Sequence, residues 1–445
     1  MSTRSRLAVR LLACSTILLT GVWTCAAQGT AAAAPDPQSA AAAPDPQSTG
    51  QPAPAGQPAS AGQPAVAGQP AVAGQPDANG EKPEQKSEQV EATSSVDGFR
   101  MGAYVFKPSG RVKLDVIRDF DAIGSEDSFD PRTIPVDGSE GTNSTVHAKE
   151  TRLNLDIRGM ADDRELRMFI ETDFYGSSSV LRLRHAYGSW GGLLAGQTWS
   201  AFVDEDNMPR TIDFESPLAF PSVRQAQARW TQKIFNGKVT WAASVEDNKS
   251  AVTIPTDVPG KAEYPMPDLV TRFRFELPGG HVTTSAFLGQ ARFRPTDGEA
   301  DSVRLWGMMV SAKMTTFGKD YIYGVFTGGE GIGRYRGGTT AVPDETGALH
   351  AVGGVALMAG YEHFWSDRWS TNGTFSVADT SDEPFYTAAI NKRLTYGAIN
   401  LLYWFLGDRA WTGVEYIYGA RDVFDEEGVT GSAHRLQYAV RFNLP

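Results

Sequence analysis

LRLRHAYGSWGGLLAGQTW, residues 181–199, is too charged to be buried and too apolar to be simply exposed. Arg182 and Arg184 alternate with Leu181 and Leu183. The glycine pair Gly191-Gly192 breaks the run, and a second segment rich in Gly, Leu and aromatics follows. Alternation with period two belongs to a strand whose two faces meet different surroundings. A break this short predicts two neighbouring antiparallel strands joined by a tight turn. Leucine on one face and arginine on the other suits a wall with lipid outside and a wet lumen inside.

The pattern recurs along the chain. Leu153, Leu155 and Ile157 alternate with Arg152, Asn154, Asp156 and Arg158; Phe273 and Phe275 alternate with Arg272, Arg274 and Glu276. Sixteen such segments begin near residues 109, 149, 164, 178, 193, 225, 237, 268, 281, 302, 320, 351, 368, 393, 410 and 432. Their joints alternate in length. Ala161-Asp162-Asp163, Trp190-Gly191-Gly192, Asn236-Gly237, Pro278-Gly279-Gly280, Phe317-Gly318-Lys319, Trp365-Ser366-Asp367 and Gly407-Asp408 read as tight turns. The joints at 120–148, 203–224, 248–267, 329–350, 378–392 and 422–431 are long and polar. An even strand number with long joints at one end and short ones at the other marks a membrane barrel. Strands in lipid leave no edge unpaired, so the sheet must close. The predicted fold is all-β: a sixteen-stranded antiparallel transmembrane β-barrel over residues 98–445, behind a disordered proline-rich N-terminal tail.

Two segments precede the barrel. Residues 1–27 read as a signal peptide: Arg4, Arg6 and Arg10, a short apolar stretch from Leu11 to Trp23, then small residues at Cys25-Ala26-Ala27. Both cysteines, Cys14 and Cys25, fall inside it, which leaves a mature chain without thiols. Residues 28–97 carry AAAAPDPQS twice over 31–48, five GQP hexads over 50–79, and an acidic run. Recurring proline and the lack of large apolar side chains exclude a packed core. The tail is expected to be a disordered periplasmic spacer reaching roughly 45 Å as flexible coil, an inert linker in the first reading and a tether in contact with the cell wall in the second.

A net charge of −11 argues against nucleic-acid binding. Six histidines are scattered without metal spacing, and no nucleophile, base and acid group together. No enzyme activity, cofactor or metal is therefore expected. GEGIGR at 329–334 reads as loop flexibility, and His185 as a lipid-facing girdle residue. Parity puts twelve bases on the lumen face: Arg111, Lys113, Arg152, Arg158, Arg167, Arg182, Arg184, Arg229, Arg272, Arg274, Arg435 and Arg441. Six acids match them: Asp115, Asp156, Glu171, Asp173, Glu276 and Glu415.

The loop at 203–224 follows the fifth strand, from which it can fold inward. It holds Asp204, Glu205, Asp206, Asp213 and Glu215 against Arg210. An arginine wall facing this acidic loop predicts a constriction that draws small anionic solutes. Carboxylates fit it best, because guanidinium binds them bidentately. Arg152, Arg158, Arg182, Arg184, Arg229, Arg272 and Arg274 are the expected pore-lining residues. Two other readings stay open. One is an outer-membrane anchor; the other is a lipase-like barrel enzyme, for which Ser189 and His185 are the nearest pair.

LRLRHAYGSWGGLLAGQTWSAFVDEDNMPRTIDFESP at 181–217 resembles the DcaP-like outer-membrane porins in its arginine-histidine strand, its GQTWS segment and the element Asp213-Phe214. VRQAQARW at 223–230 and GRVKLDVIRDF at 110–120 look like further family segments. The resemblance spans roughly 98–445. It implies a homotrimeric sixteen-stranded porin set in outer-membrane lipid of a Gram-negative bacterium, taking up small anions, dicarboxylates among them. It carries the pore role to Arg182, Arg184, Arg229 and the acids of 203–215. The tail departs from the family pattern, since members often have a heptad-like extension there.

Overall fold

The computed structural model describes residues 31–32 and 98–444, except 177–178, 216, 249–250, 385, 388, 408 and 425–428. The signal peptide and almost all of the repeat tail lie outside the described residues. Sixteen strands form a closed antiparallel barrel. They are β1 Tyr104–Asp119, β2 Arg152–Ala161, β3 Arg164–Asp173, β4 Arg182–Trp190, β5 Leu193–Trp199, β6 Arg224–Ile234, β7 Val239–Glu246 and β8 Asp268–Leu277. Then follow β9 Gly280–Pro295, β10 Asp301–Thr315, β11 Tyr321–Glu330, β12 Gly353–Phe364, β13 Trp369–Thr380, β14 Asn391–Trp404, β15 Ala410–Val423 and β16 Thr430–Leu444. The last strand returns to the first, with Tyr438 opposite Val116 and Phe442 opposite Val112. A short strand, Asn143–His147, extends the second position toward the long-loop end and also pairs with β1.

Local chemistry sets the tight turns. Asp162 and Asp163 both take positive φ, 50° and 58°, giving a two-residue turn whose twist matches the flanking strands. Phe235, Asn236 and Gly237 turn β6 into β7 in the same left-handed region.

The burial pattern inverts that of a water-soluble protein. Leu153, Ile170, Leu183, Leu288, Phe326, Leu357, Phe375 and Ile399 are exposed on the outer face. Lys113, Asp115, Glu171, Thr283, Ser311, Asn400, Glu415, Arg435 and Gln437 are buried on the inner one. Only a hydrocarbon surround makes that arrangement favourable, since exposed apolar strands otherwise aggregate.

One parity expectation fails, for a definite reason. Between β3 and β4, Glu171 faces His185 while Thr172 faces Leu183, so Arg184 is the extra residue of a β-bulge. The bulge resets the alternation. Arg184 and His185 both turn inward, and His185 is buried rather than lipid-facing, its Nδ1 2.9 Å from Thr198 Oγ1. That hydrogen bond goes to Thr198, not to Ser189, so the pair considered for a hydrolase is not assembled.

Candidate functional site

The loop between β5 and β6 enters the barrel and runs round the inside of its wall. Ser200 N–H donates to Val223 O at 3.1 Å, which closes the neck. The wall then supplies a partner at nearly every step. Arg272 on β8 donates to Val203 O (2.7 Å), and Ser285 on β9 to Phe202 O (2.8 Å). His281 and Ser311 hold Asp204 at 2.9 and 2.5 Å. Asn207 reaches Gly324 O on β11 at 2.7 Å. Arg210 pairs with Glu362 on β12 at 2.9 Å, and Asn400 on β14 donates to Arg210 O at 2.8 Å. Glu415 on β15 accepts the Ile212 and Asp213 amides, each at 2.8 Å. Arg435 on β16 meets Asp213 at 3.2 Å. Polar wall positions from β8 to β16 are thus consumed in seating the loop.

A second segment folds in beside it. The helical turn Gly333–Arg336 carries Tyr335 into a core with Phe202 and Phe287, at ring-centroid distances of 4.6 and 4.5 Å. Arg334 is buried and binds Asp268 at 2.7 Å. Glycine makes the path available. Gly331 and Gly337 take φ of +79° and +72°, and a Cβ at Gly337 would sit 1.9 Å from Arg132 Nη1. That guanidinium donates to the carbonyls of Arg336 (3.1 Å) and Gly337. The GEGIGR stretch is therefore an inward-folded part of the lumen filling, not a flexible loop.

A cavity of about 650 Å³ lies against the opposite wall, from β1 to β6. Eleven arginines line it against five acids, so the local balance reverses that of the chain as a whole. The arginines fall into two kinds. Arg182 binds Asp173 through Nε and Nη2 at 3.0 and 2.9 Å; Arg184 binds Glu171 at 2.6 Å and Asp173 at 2.9 Å; Arg152 lies 3.4 Å from Glu171. These pairs fix the wall's shape. Arg229 and Arg441 have no carboxylate within 4 Å among the described residues: Arg229 meets Trp199 O at 3.4 Å, and Arg441 lies over Trp411 at 5.0 Å. Phe214 from the loop stacks on Tyr175 (3.8 Å, 22°), with Arg182 and Arg184 at 5.5 and 5.8 Å from its ring. The inner surface is thus cationic and partly aromatic.

Of the expected pore-lining residues, Arg152, Arg182, Arg184 and Arg229 line this cavity. Arg272 and Arg274 do not; they stand on β8 and hold the loop, Arg274 at 3.5 Å from Asp204 and in contact with Asp206. Arg158 also lies outside the cavity, exposed at the short-turn end beside Asp156 and Glu165. In the loop, Glu205, Arg210, Asp213 and Glu215 reach the cavity, whereas Asp204 and Asp206 face the wall behind it. The acidic loop is consequently less of a negative electrode than its composition suggests. Arg132, Arg224 and Arg334, absent from the parity list, complete the basic lining. They come from loops or a strand end, where alternation gives no signal. Among the described residues no cluster of three or more His, Cys, Asp or Glu is placed to hold a metal.

Solved structures share this architecture. The outer membrane channel DcaP of Acinetobacter baumannii matches with a TM-score of 0.71 at 21% identity, over 78% of this chain and 99% of that one. An anion-selective porin from Comamonas acidovorans matches with a TM-score of 0.52 at 10% identity, over 76% of this chain and 99% of the other. OmpT of Vibrio cholerae gives 0.51 at 11% identity, over 78% and 100%. A comparison with curated proteins finds no match. At these identities the structures establish the fold alone. The sequence itself matches the model of the DcaP outer membrane protein family over residues 85–444. With four-fifths of its length inside that match, the chain belongs to the DcaP outer membrane protein family.

Proposed function

We propose that this protein is an outer-membrane porin, a diffusion channel for small anionic solutes such as dicarboxylates, acting as a homotrimer with its N-terminal tail in the periplasm after signal-peptide removal. The observation that carries the reading is the cavity lining, eleven arginines against five acids in a chain of net charge −11. A low-dielectric wall focuses that positive field on the cavity and raises the local anion concentration. Arginines already bound to Glu171 and Asp173 hold the geometry. Arg229 and Arg441 then offer guanidinium groups to a passing carboxylate. Transport needs no group poised for catalysis, and the reading assigns none.

The test is a reversal-potential measurement on the purified protein in planar bilayers across a potassium chloride gradient. Preference for chloride is expected, reduced in the Arg229→Ala variant, with succinate blocking current. A reversal potential of cation-selective sign would overturn the proposal.

A further inference from the structure

A second, much smaller pocket lies at the long-loop end of the barrel, with Arg132 standing between it and the arginine-walled cavity and lining both. It measures about 50 Å³ and sits between the inward turn at 333–338 and the loop-side ends of β12, β13 and β14. Arg336 points into it. Its backbone carbonyl is held by Arg132, at 3.1 Å. Its Nε and Nη1 are sealed from solvent and meet no acceptor, although each carries a proton that needs one. The nearest acid on the wall, Asp379, is already engaged by Arg393 through two contacts of 2.7 and 3.1 Å. Burial pushes the Arg336 guanidinium down to about 10, with only Asp379 opposing. A guanidinium stays charged in proteins, and here two of its N–H groups are buried without an acceptor among the described residues while the side chain as a whole is half-buried.

The rest of the pocket shows what would supply that charge. Thr339, Thr380 and Asn391 give it a polar rim. Asn391 Oδ1 is taken by Arg421 Nε at 2.9 Å, which leaves its amide group as a donor. Leu218, Val352, Ile390 and Leu394 give it apolar sides, which disfavour a strongly hydrated ion. The pocket is small, with room for a single small anion beside the guanidinium.

We infer that Arg336 holds a small, weakly hydrated inorganic anion, a halide or nitrate, which locks the 333–338 turn against the wall. The site is independent of what the barrel conducts. The anion completes a buried charge pair, and the turn it locks carries Tyr335 and Arg334 into the lumen.

The experiment is anomalous diffraction from crystals of the full-length protein soaked in sodium bromide. A bromide peak in contact with Arg336 Nε or Nη1 is expected in the wild type, lost in Arg336→Gln and lost from the wild type when nitrate competes. In parallel, the thermal midpoint of the wild type is expected to fall when chloride is exchanged for gluconate at equal ionic strength, and that of Arg336→Gln to fall by clearly less, the remainder coming from the arginine-walled cavity; an equal fall in both would overturn the proposal. Water density alone at the pocket would overturn the proposal. So would bromide confined to exposed arginines, an adventitious ion only, or a pocket peak that persists in Arg336→Gln. If the variant fails to assemble, the wild-type peak and its displacement by nitrate decide the matter.

Discussion

Arg184 and Arg441 face the same lumen and do different things. Arg184 is buried between Glu171 and Asp173, and its loss takes one cation from each, although Asp173 keeps Arg182 and Glu171 keeps Arg152. Breaking a buried pair from one side costs about 3–5 kcal/mol where no partner remains, so with these partners left Arg184→Ala is expected to cost about 2–3 kcal/mol and to lower the unfolding midpoint in urea. Among the described residues Arg441 has no carboxylate within 4 Å, and it rests on Trp411. Arg441→Ala is expected to cost about 1 kcal/mol or less and to show instead as a weaker anion preference in bilayer recordings. Equal destabilisation by the two variants would contradict this division. Sequence parity shows that both residues face inward, because side chains alternate whatever their partners. It is silent on which arginine is neutralised, since pairing depends on register across strands far apart in the chain. His185 shows a second limit: one inserted residue reverses parity and leaves no mark in composition.

At the scale of elements, β4 offers a direct check on which face meets lipid. Leu183 is exposed on the outer surface, so Leu183→Arg is expected to cost about 2–4 kcal/mol near the bilayer midplane and to reduce assembled barrel on semi-native gels. The turn before β11 gives a pH-dependent test. Asp320 accepts from Tyr361 Oη (2.6 Å) and the Phe364 amide (2.8 Å), with His363 Nδ1 at 2.6 Å; these bonds, Tyr361 foremost, pull its carboxyl down to about 2. An unfolded aspartate titrates near 3.9, so the contribution is complete above about pH 4 and is lost as pH falls through the folded value. The wild type's advantage over Asp320→Asn in unfolding midpoint should therefore shrink between about pH 4 and pH 2. An advantage independent of pH would mean that the carboxylate is not the stabilising form. Strand starts and tight turns were readable because alternation and turn residues are local signals. The inward course of 200–223 was readable from its length and place. Its seating was not, because its anchors lie on strands far from it in the chain, Lys113 on β1 before it and Arg272 to Arg435 on β8 to β16 after it.

Over the whole molecule, the repeat tail and the barrel are chemically unrelated. Residues 28–96 hold no apolar face that could pack on a barrel wall. Their deletion is expected to leave folding and single-channel conductance unchanged. Loss of heat-stable oligomers in the truncated protein would show that the tail takes part in assembly. The seating of the 200–223 loop has a consequence of another kind. Strand number fixes the circumference of a barrel, and changing it means rebuilding every hydrogen-bonded edge at once. Here the free bore is set by a liner, fastened through single side chains to nine successive staves of the wall, β8 to β16, and β1 beyond them. A residue added to or taken from that liner changes the calibre of the passage while the outer shell, and everything the membrane sees of it, stays as it was.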